Sequence, residues 1–254
     1  MISLKNLSFS YPDSLPVLEN FNWEVQRGER WAILGASGCG KSTLLYLLAG
    51  LRFPDSGTLR IDGERLSRPR PQTGLILQEY GLLPWATVRE NVGLGGRIRS
   101  FYGADGVHAP STGSRATRSL LSWLKRLGLD ALSDKYPSQL SGGQRQRTAI
   151  ARTLALDPDL LLMDEPFSSL DAVTRSDLQS LTLELCAEQN LTLVMVTHAI
   201  EEAAIMGQKI LLLGSPPNTL ARVIENPDVD EAGFRDSQAY MNLCRRLRGE
   251  MERA

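Results

Sequence analysis

An α/β fold is what this sequence predicts, on three observations. Short apolar runs end at a glycine or an acid, leucine-rich stretches recur at helical spacing, and the two alternate in the first and last thirds of the chain. Trp31-Ala32-Ile33-Leu34 is a continuous apolar run closed by Gly35, as expected of a parallel strand buried on both faces. Residues 160–163, 192–196 and 209–213 repeat that character. From Lys41 to Ala49 the leucines keep helical spacing, and Gly50 offers a C-terminal stop. Segments 116–127, 143–155, 172–188 and 199–206 read as further helices. Residues 2–9, 17–25 and 58–61 alternate apolar and polar positions, which predicts short antiparallel strands.

The middle third is mainly helical. A helical subdomain inserted at about 79–152 is therefore expected, within a core built from about 1–78 and 153–215. Residues 95–114 are rich in Gly, Ser and Ala without periodicity, and read as a surface loop. The tail, about 216–254, is expected to carry an amphipathic helix over 236–248 with Arg245, Arg246 and Arg248 on its solvated side. The whole chain, 1–254, reads as one domain.

Composition excludes several classes. Apolar residues make 42% and charged residues 22%, an ordinary globular mixture, and a net charge of −1 gives no reason to expect nucleic-acid binding. Three cysteines without paired or metal-type spacing fit a reducing compartment. No signal peptide is visible, and no apolar run approaches the roughly 18 residues that span a bilayer. A soluble, intracellular protein is expected, held at a membrane only by a partner.

Three segments carry chemistry. Gly35-Ala36-Ser37-Gly38-Cys39-Gly40-Lys41-Ser42 lies between a predicted strand and a predicted helix. The glycines let successive backbone N–H groups converge, and the following helix N-terminus adds partial positive charge, so this is a phosphate-binding loop. Lys41 would reach the β- and γ-phosphates of a nucleotide, and the Ser42 hydroxyl would bind Mg²⁺. By itself the loop leaves kinases, GTPases and other phosphate-loop proteins open. Next, the apolar run Leu160–Met163 ends in Asp164 and Glu165. A rigid strand would hold Asp164 to complete a Mg²⁺ shell, and Glu165 beside the γ-phosphate would polarise an attacking water. Finally, Leu140-Ser141-Gly142-Gly143-Gln144 precedes a helical run, with Ser141 at the N-cap position and the glycines exposing backbone N–H groups.

In this order the three segments resemble the ATP-binding-cassette (ABC) ATPases, and the resemblance covers roughly residues 2–213. It implies a P-loop NTPase cassette with a RecA-like core, an N-terminal antiparallel β subdomain and an inserted helical subdomain. It also implies roles for residues that carry little signal alone. Gln78 resembles the glutamine that senses the γ-phosphate and Mg²⁺, and His198 resembles the histidine that contacts the γ-phosphate. Asp171, in Ser169-Leu170-Asp171, resembles the loop that crosses a cassette dimer; Tyr11 resembles the aromatic that stacks on adenine. Residues 35–43, including Thr43, are then ATP contacts from one subunit, and Ser141, Gly142, Gly143 and Gln144 are contacts from the facing subunit. Lys41, Glu165 and His198 form the catalytic set, and Ser42, Gln78 and Asp164 the Mg²⁺ set.

The local wording narrows the resemblance. Leu82-Leu83-Pro84-Trp85-Ala86-Thr87-Val88 and Asp164-Glu165-Pro166-Phe167-Ser168-Ser169-Leu170-Asp171 look like the ATPase subunits of bacterial nitrate, sulfonate and taurine importers. The partners implied are a second, identical cassette, transmembrane permease subunits and, indirectly, an external solute-binding protein. The place implied is the cytoplasmic membrane face. A non-transport ABC ATPase that remodels nucleic acid or ribosomes is the alternative, although such proteins usually carry two cassettes or a long coiled coil. Three positions depart from the family wording: Ala199 after His198, Ser168-Ser169 ahead of Leu170, and Gly207-Gln208-Lys209.

Overall fold

The computed structural model describes residues 1–110 and 120–253. The strands are β1 (Ile2–Ser10), β2 (Pro16–Val25), β3 (Arg30–Leu34), β4 (Ser56–Ile61), β5 (Glu64–Arg65), β6 (Thr73–Ile76), β7 (Leu160–Asp164), β8 (Thr192–Thr197), β9 (Lys209–Leu212) and β10 (Arg222–Glu225). The helices are α1 (Lys41–Leu48), α2 (Val88–Tyr102), α3 (Leu120–Arg126), α4 (Gly142–Leu154), α5 (Ala172–Gln189), α6 (Ile200–Met206) and α7 (Gln238–Met251). They form two compact units, one from Met1–Pro69 with Cys186–Ala254, the other from Arg70–Leu185.

The first unit holds two sheets. The antiparallel one runs β2-β1-β4-β5, with Ile2 opposite Val25 and Ile61, and Leu4 opposite Trp23 and Leu59. Its buried residues do not alternate strictly. Ile2 and Leu4 are followed by Leu7 and Phe9, and in β2 Leu18 is followed by Phe21 and Trp23. The register shifts between Leu4 and Leu7, where Asn6 at φ 48° absorbs the extra residue of β1, and again between Leu7 and Phe9, where Asn20 at φ 51° absorbs that of β2. Each extra residue returns the apolar set to the buried face. Gly57 permits this: a Cβ there would sit 2.2 Å from the Asn6 carbonyl oxygen.

In the second sheet, β3 lies between β8 and β9, both parallel to it, and β10 closes the edge antiparallel to β9. Every residue of β3 and β8 is buried, which is why both read as unbroken apolar runs. The edge strand β10 was not expected within the tail. The tail helix α7 starts at Gln238, capped by Ser237, whose Oγ accepts the Tyr240 N–H at 3.1 Å. Its inner face packs Leu247, Tyr240, Leu243, Cys244 and Met251 against Ala32, Leu34, Ala203, Ile210 and Ile224.

In the second unit β6 and β7 pair in parallel, Thr73 opposite Leu160 and Ile76 opposite Met163. Helix α2 packs against α4, and α3 buries Trp123 and Leu124. One expectation is corrected here. Residues 95–102, read as surface loop, belong to α2. A capping box starts this helix: the Thr87 Oγ1 accepts the Glu90 N–H and the Glu90 carboxylate accepts the Thr87 N–H. Gly95 lies where a Cβ would come within 2.5 Å of Leu156, so this glycine serves close packing rather than chain reversal. Beyond Tyr102 the chain turns at Gly103, φ 75°. The remainder of the expected loop, 111–114, and the expected helix start at 116–119 lie outside the described residues.

Candidate functional site

Within the first unit, β3 delivers the chain into the loop 35–40 and α1 leads away from it. The close approach requires glycine: a Cβ on Gly35 would stand 2.5 Å from the Leu213 carbonyl oxygen, and one on Gly40 2.5 Å from Val17. Gly40, at φ 103°, is the N-cap of α1 and supplies no side chain to its first N–H groups. A helix start without a side-chain acceptor suits an anion. Lys41 is buried, and its Nζ donates to the carbonyl oxygens of Gly35 at 2.9 Å and Ala36 at 2.8 Å, which holds the ammonium against the loop. Cys39 is also buried; burial pushes its thiol above the usual range against the opposing field of Lys41. The donor set suits a polyphosphate: backbone N–H groups, one held cation and no fixed acid within the loop.

A bracing residue escaped the sequence reading. Asn218 is buried, its Nδ2 donates to the Cys39 carbonyl at 2.9 Å, and its Oδ1 accepts the Gly214 N–H at 2.9 Å. It stands 179 positions from Cys39, in a tail without periodic pattern, so no sequence signal marked it. A cavity of about 180 Å³ opens beside the loop, lined by Ala36, Ser37, Cys39, Ser215 and Met251.

Tyr11 follows β1. Its ring meets Phe9 edge to face at 5.1 Å, its hydroxyl lies 3.2 Å from Thr43 Oγ1, and the Arg52 guanidinium lies 5.6 Å from its centroid. The aromatic ring and the residue after Ser42 are thus neighbours, and Arg52 is a second unforeseen contributor. His198 is exposed at the end of β8, and the turn that presents it is fixed. Thr197 Oγ1 donates to the buried Glu202 at 2.7 Å and accepts the Ala199 N–H at 3.0 Å. One departure, Gly207-Gln208-Lys209, finds a structural account here. Gln208 Oε1 accepts the Arg30 N–H at 3.1 Å and Lys209 pairs with Glu29 at 2.8 Å. A Cβ on Gly207 would stand 3.0 Å from Ala32.

The second unit carries the remaining residues. Asp164 ends β7 and is buried; Glu165 follows at φ 43°, a left-handed conformation that non-glycine residues rarely adopt. The Ser168 N–H and hydroxyl both donate to the Glu165 carbonyl, at 3.3 and 3.0 Å, and hold that turn. Asp171 accepts the Thr174 N–H at 3.0 Å, and this bond holds its carboxyl below the usual range. Ser141 caps α4 in a second capping box, its Oγ accepting the Gln144 N–H at 3.3 Å while Gln144 Oε1 accepts the Ser141 N–H at 3.0 Å. Gly143 has a packing reason as well, since a Cβ there would come within 2.5 Å of Thr174. Gln78 is exposed, two residues beyond β6. Just after it, Asn91, wholly buried, binds the turn 83–87: its Oδ1 accepts the Leu83 N–H at 2.8 Å and its Nδ2 donates to the Ala86 carbonyl at 2.9 Å. Trp85, at the tip, is 74% exposed.

Comparison with known proteins gives concordant likenesses. The profile described as "ABC transporter" matches residues 18–168. The aliphatic sulfonates import ATP-binding protein SsuB of Bacillus cereus is 37% identical over 240 residues, 94% of this chain and 90% of that protein. The bicarbonate transport ATP-binding protein CmpC of Synechococcus elongatus is 38% identical over 86% of this chain, which spans 32% of that longer protein. Among solved structures, the dimeric post-hydrolysis state of the ATP-binding cassette MJ0796 bound to ADP and Pi superposes with a TM-score of 0.71 at 30% identity. It covers 89% of this chain and 99% of its own.

Proposed function

The chain belongs to the ABC transporter family, and we propose that it is the ATP-hydrolysing subunit of a bacterial importer for a small solute of the nitrate, sulfonate or taurine kind. The observation that carries this reading is the loop 35–40, in which Gly35 and Gly40 admit no Cβ, closed by a held lysine at the start of an uncapped helix. Relatives named for sulfonate and bicarbonate transport support the solute class. Because those relatives are transport subunits, the nucleic-acid or ribosome alternative is not favoured.

In the proposed reaction residues 35–43 bind the phosphates of ATP, Tyr11 stacks on adenine, and Glu165 orients the attacking water. Lys41 neutralises charge developing on the transferred phosphoryl group, and His198 contacts its oxygens. Ser42, Gln78 and Asp164 are hard oxygen donors with a single carboxylate, a set that fits Mg²⁺ shared with substrate phosphates; when bound, this ion offsets charge on the β- and γ-phosphates. Ser141, Gly142, Gly143, Gln144 and Asp171 serve the nucleotide of a second, identical subunit, and the dimeric ADP-bound relative supports that pairing. Closure on ATP and reopening after hydrolysis then drive the permease, which receives solute from an external binding protein. Among the described residues no helix is long and apolar enough to cross a membrane. Attachment at the cytoplasmic face through the permease is part of the proposal. The exposed turn at Trp85 is the proposed docking point.

Phosphate release from ATP by the purified chain tests the reading. The wild-type protein is expected to turn over ATP with Mg²⁺, and Lys41→Ala to lose at least about 100-fold in turnover, as expected for removal of a group that stabilises transition-state charge. Wild-type activity in that variant would overturn the loop assignment.

A further inference from the structure

The departure Ser168-Ser169 is not accounted for by any role in nucleotide binding. Its second hydroxyl has a partner: Ser169 Oγ lies 2.8 Å from the phenol oxygen of Tyr80. Tyr80 stands two residues after Gln78, and Ser169 two residues before Asp171. The hydrogen bond therefore joins the loop that bears one proposed nucleotide residue to the loop that bears another.

The rest of Tyr80 is held just as firmly. It is 8% exposed and adopts φ 65°, a conformation an aromatic residue keeps only where its surroundings dictate it. Arg152, from α4, supplies that constraint with a two-pronged clamp: Nη2 donates to the Tyr80 carbonyl at 2.9 Å and Nη1 to the Gly81 carbonyl at 2.6 Å. The Arg145 guanidinium, also from α4, lies 5.8 Å from the centre of the Tyr80 ring. Gly142, the first residue of α4, adjoins the same hydroxyl; a Cβ on it would stand 3.7 Å from the phenol oxygen and 3.2 Å from Leu170. One side chain thus touches the helix behind the Ser141 cap and the 168–171 loop, while its backbone begins the segment leading to the Trp85 turn.

We propose that Tyr80 is a positioning residue whose hydroxyl bond to Ser169 makes the Gln78 loop, the start of α4 and the 168–171 loop move as one body during the ATPase cycle. The inference rests on the ATPase reading above. Movement of the 83–87 turn is then passed to Asp171 and to the Ser141 cap without a change in the loop 35–40. Loss of the bond slows turnover and leaves ATP binding intact.

A double-mutant cycle on the full chain tests this, with Tyr80→Phe and Ser169→Ala assayed for kcat and KM. Each removes one hydroxyl and keeps the packing. A neutral hydrogen bond of ordinary strength corresponds to about a fivefold loss of kcat in either variant, with KM for ATP unchanged. The double variant is expected to lose about fivefold as well, because both changes delete one interaction. Ser169→Thr, which keeps a hydroxyl, is expected to retain wild-type kcat. A purely structural role would lower the melting temperature without that kcat-only pattern or the rescue by threonine. Wild-type kcat in either single variant, or losses that multiply to about 25-fold in the double, would overturn the proposal. If the wild-type chain itself shows no turnover, the ATPase reading fails and this inference falls with it; if it turns over and the variants match it, only this inference falls.

Discussion

At Gln146 the side chain is wholly buried, and among the described residues neither its amide oxygen nor its amide nitrogen has a hydrogen-bond partner. An orphaned buried amide costs about 1–3 kcal/mol, so its replacement by an apolar residue of similar shape is stabilising. Gln146→Met is expected to raise the melting temperature by about 2–12 °C, given roughly 2–4 °C per kcal/mol in a chain of this size. A lower melting temperature in scanning calorimetry would mean that the amide is satisfied in solution. The sequence alone gave no hint of this, because Gln146 sits inside the polar run Gln144-Arg145-Gln146-Arg147 and reads as a solvated helix face. Other residue-scale features were legible. Lys41 and Asp164 were placed by motif and strand ending, chemistry that depends on local spacing. Asn218 and Arg52 were not, since their partners Cys39 and Tyr11 lie far off in sequence and nothing in the chain encodes such a distance.

Helix α2 shows how an element hides. Gly93, Gly95 and Gly96 in one stretch argue for a loop on propensity, because glycine costs about 1 kcal/mol in a helix relative to alanine. The capping box at Thr87 and Glu90 starts the helix nonetheless, and packing against α4 carries it to Tyr102. The two neighbouring glycines then differ in kind. A Cβ on Gly95 meets three Leu156 side-chain atoms between 2.5 and 2.9 Å, whereas one on Gly96 meets nothing within 4 Å. Gly96→Ala is accordingly expected to stabilise the chain by about 1 kcal/mol. Gly95→Ala is expected to destabilise it by about 1–3 kcal/mol through overpacking. Urea unfolding of the two variants checks both signs; equal shifts would show that α2 is not packed as described. Strands were easier to read, because β3, β7 and β8 are buried on all sides and so appear as apolar runs. The edge strand β10 buries only Ile224, a pattern too sparse to separate from a loop.

For the molecule as a whole, the motif order was legible but not the division of labour. The phosphate loop, Tyr11 and His198 belong to one compact unit, and Ser141, Glu165, Gln78 and Asp171 to the other, which the chain enters at Arg70 and leaves after Leu185. The Ser141 cap is itself exposed, the condition for serving a nucleotide held by another copy. If its N–H groups and the loop 35–40 each receive phosphate as proposed, the two copies that meet carry a net charge of only −1 each, so long-range repulsion between them is weak. If ATP bridges them, association depends on nucleotide and on protein concentration together. Glu165→Gln, which keeps the shape of the side chain but removes the base, is expected to accumulate as a dimer in gel filtration with ATP and to run as a monomer without it. Adding Ser141→Arg to that variant places a large side chain at the cap. The combined variant is expected to stay monomeric with ATP while still binding one ATP per chain by equilibrium dialysis. Dimers that persist in the combined variant would place the subunit contact elsewhere; loss of ATP binding along with the dimer would put Ser141 in the chain's own nucleotide site instead.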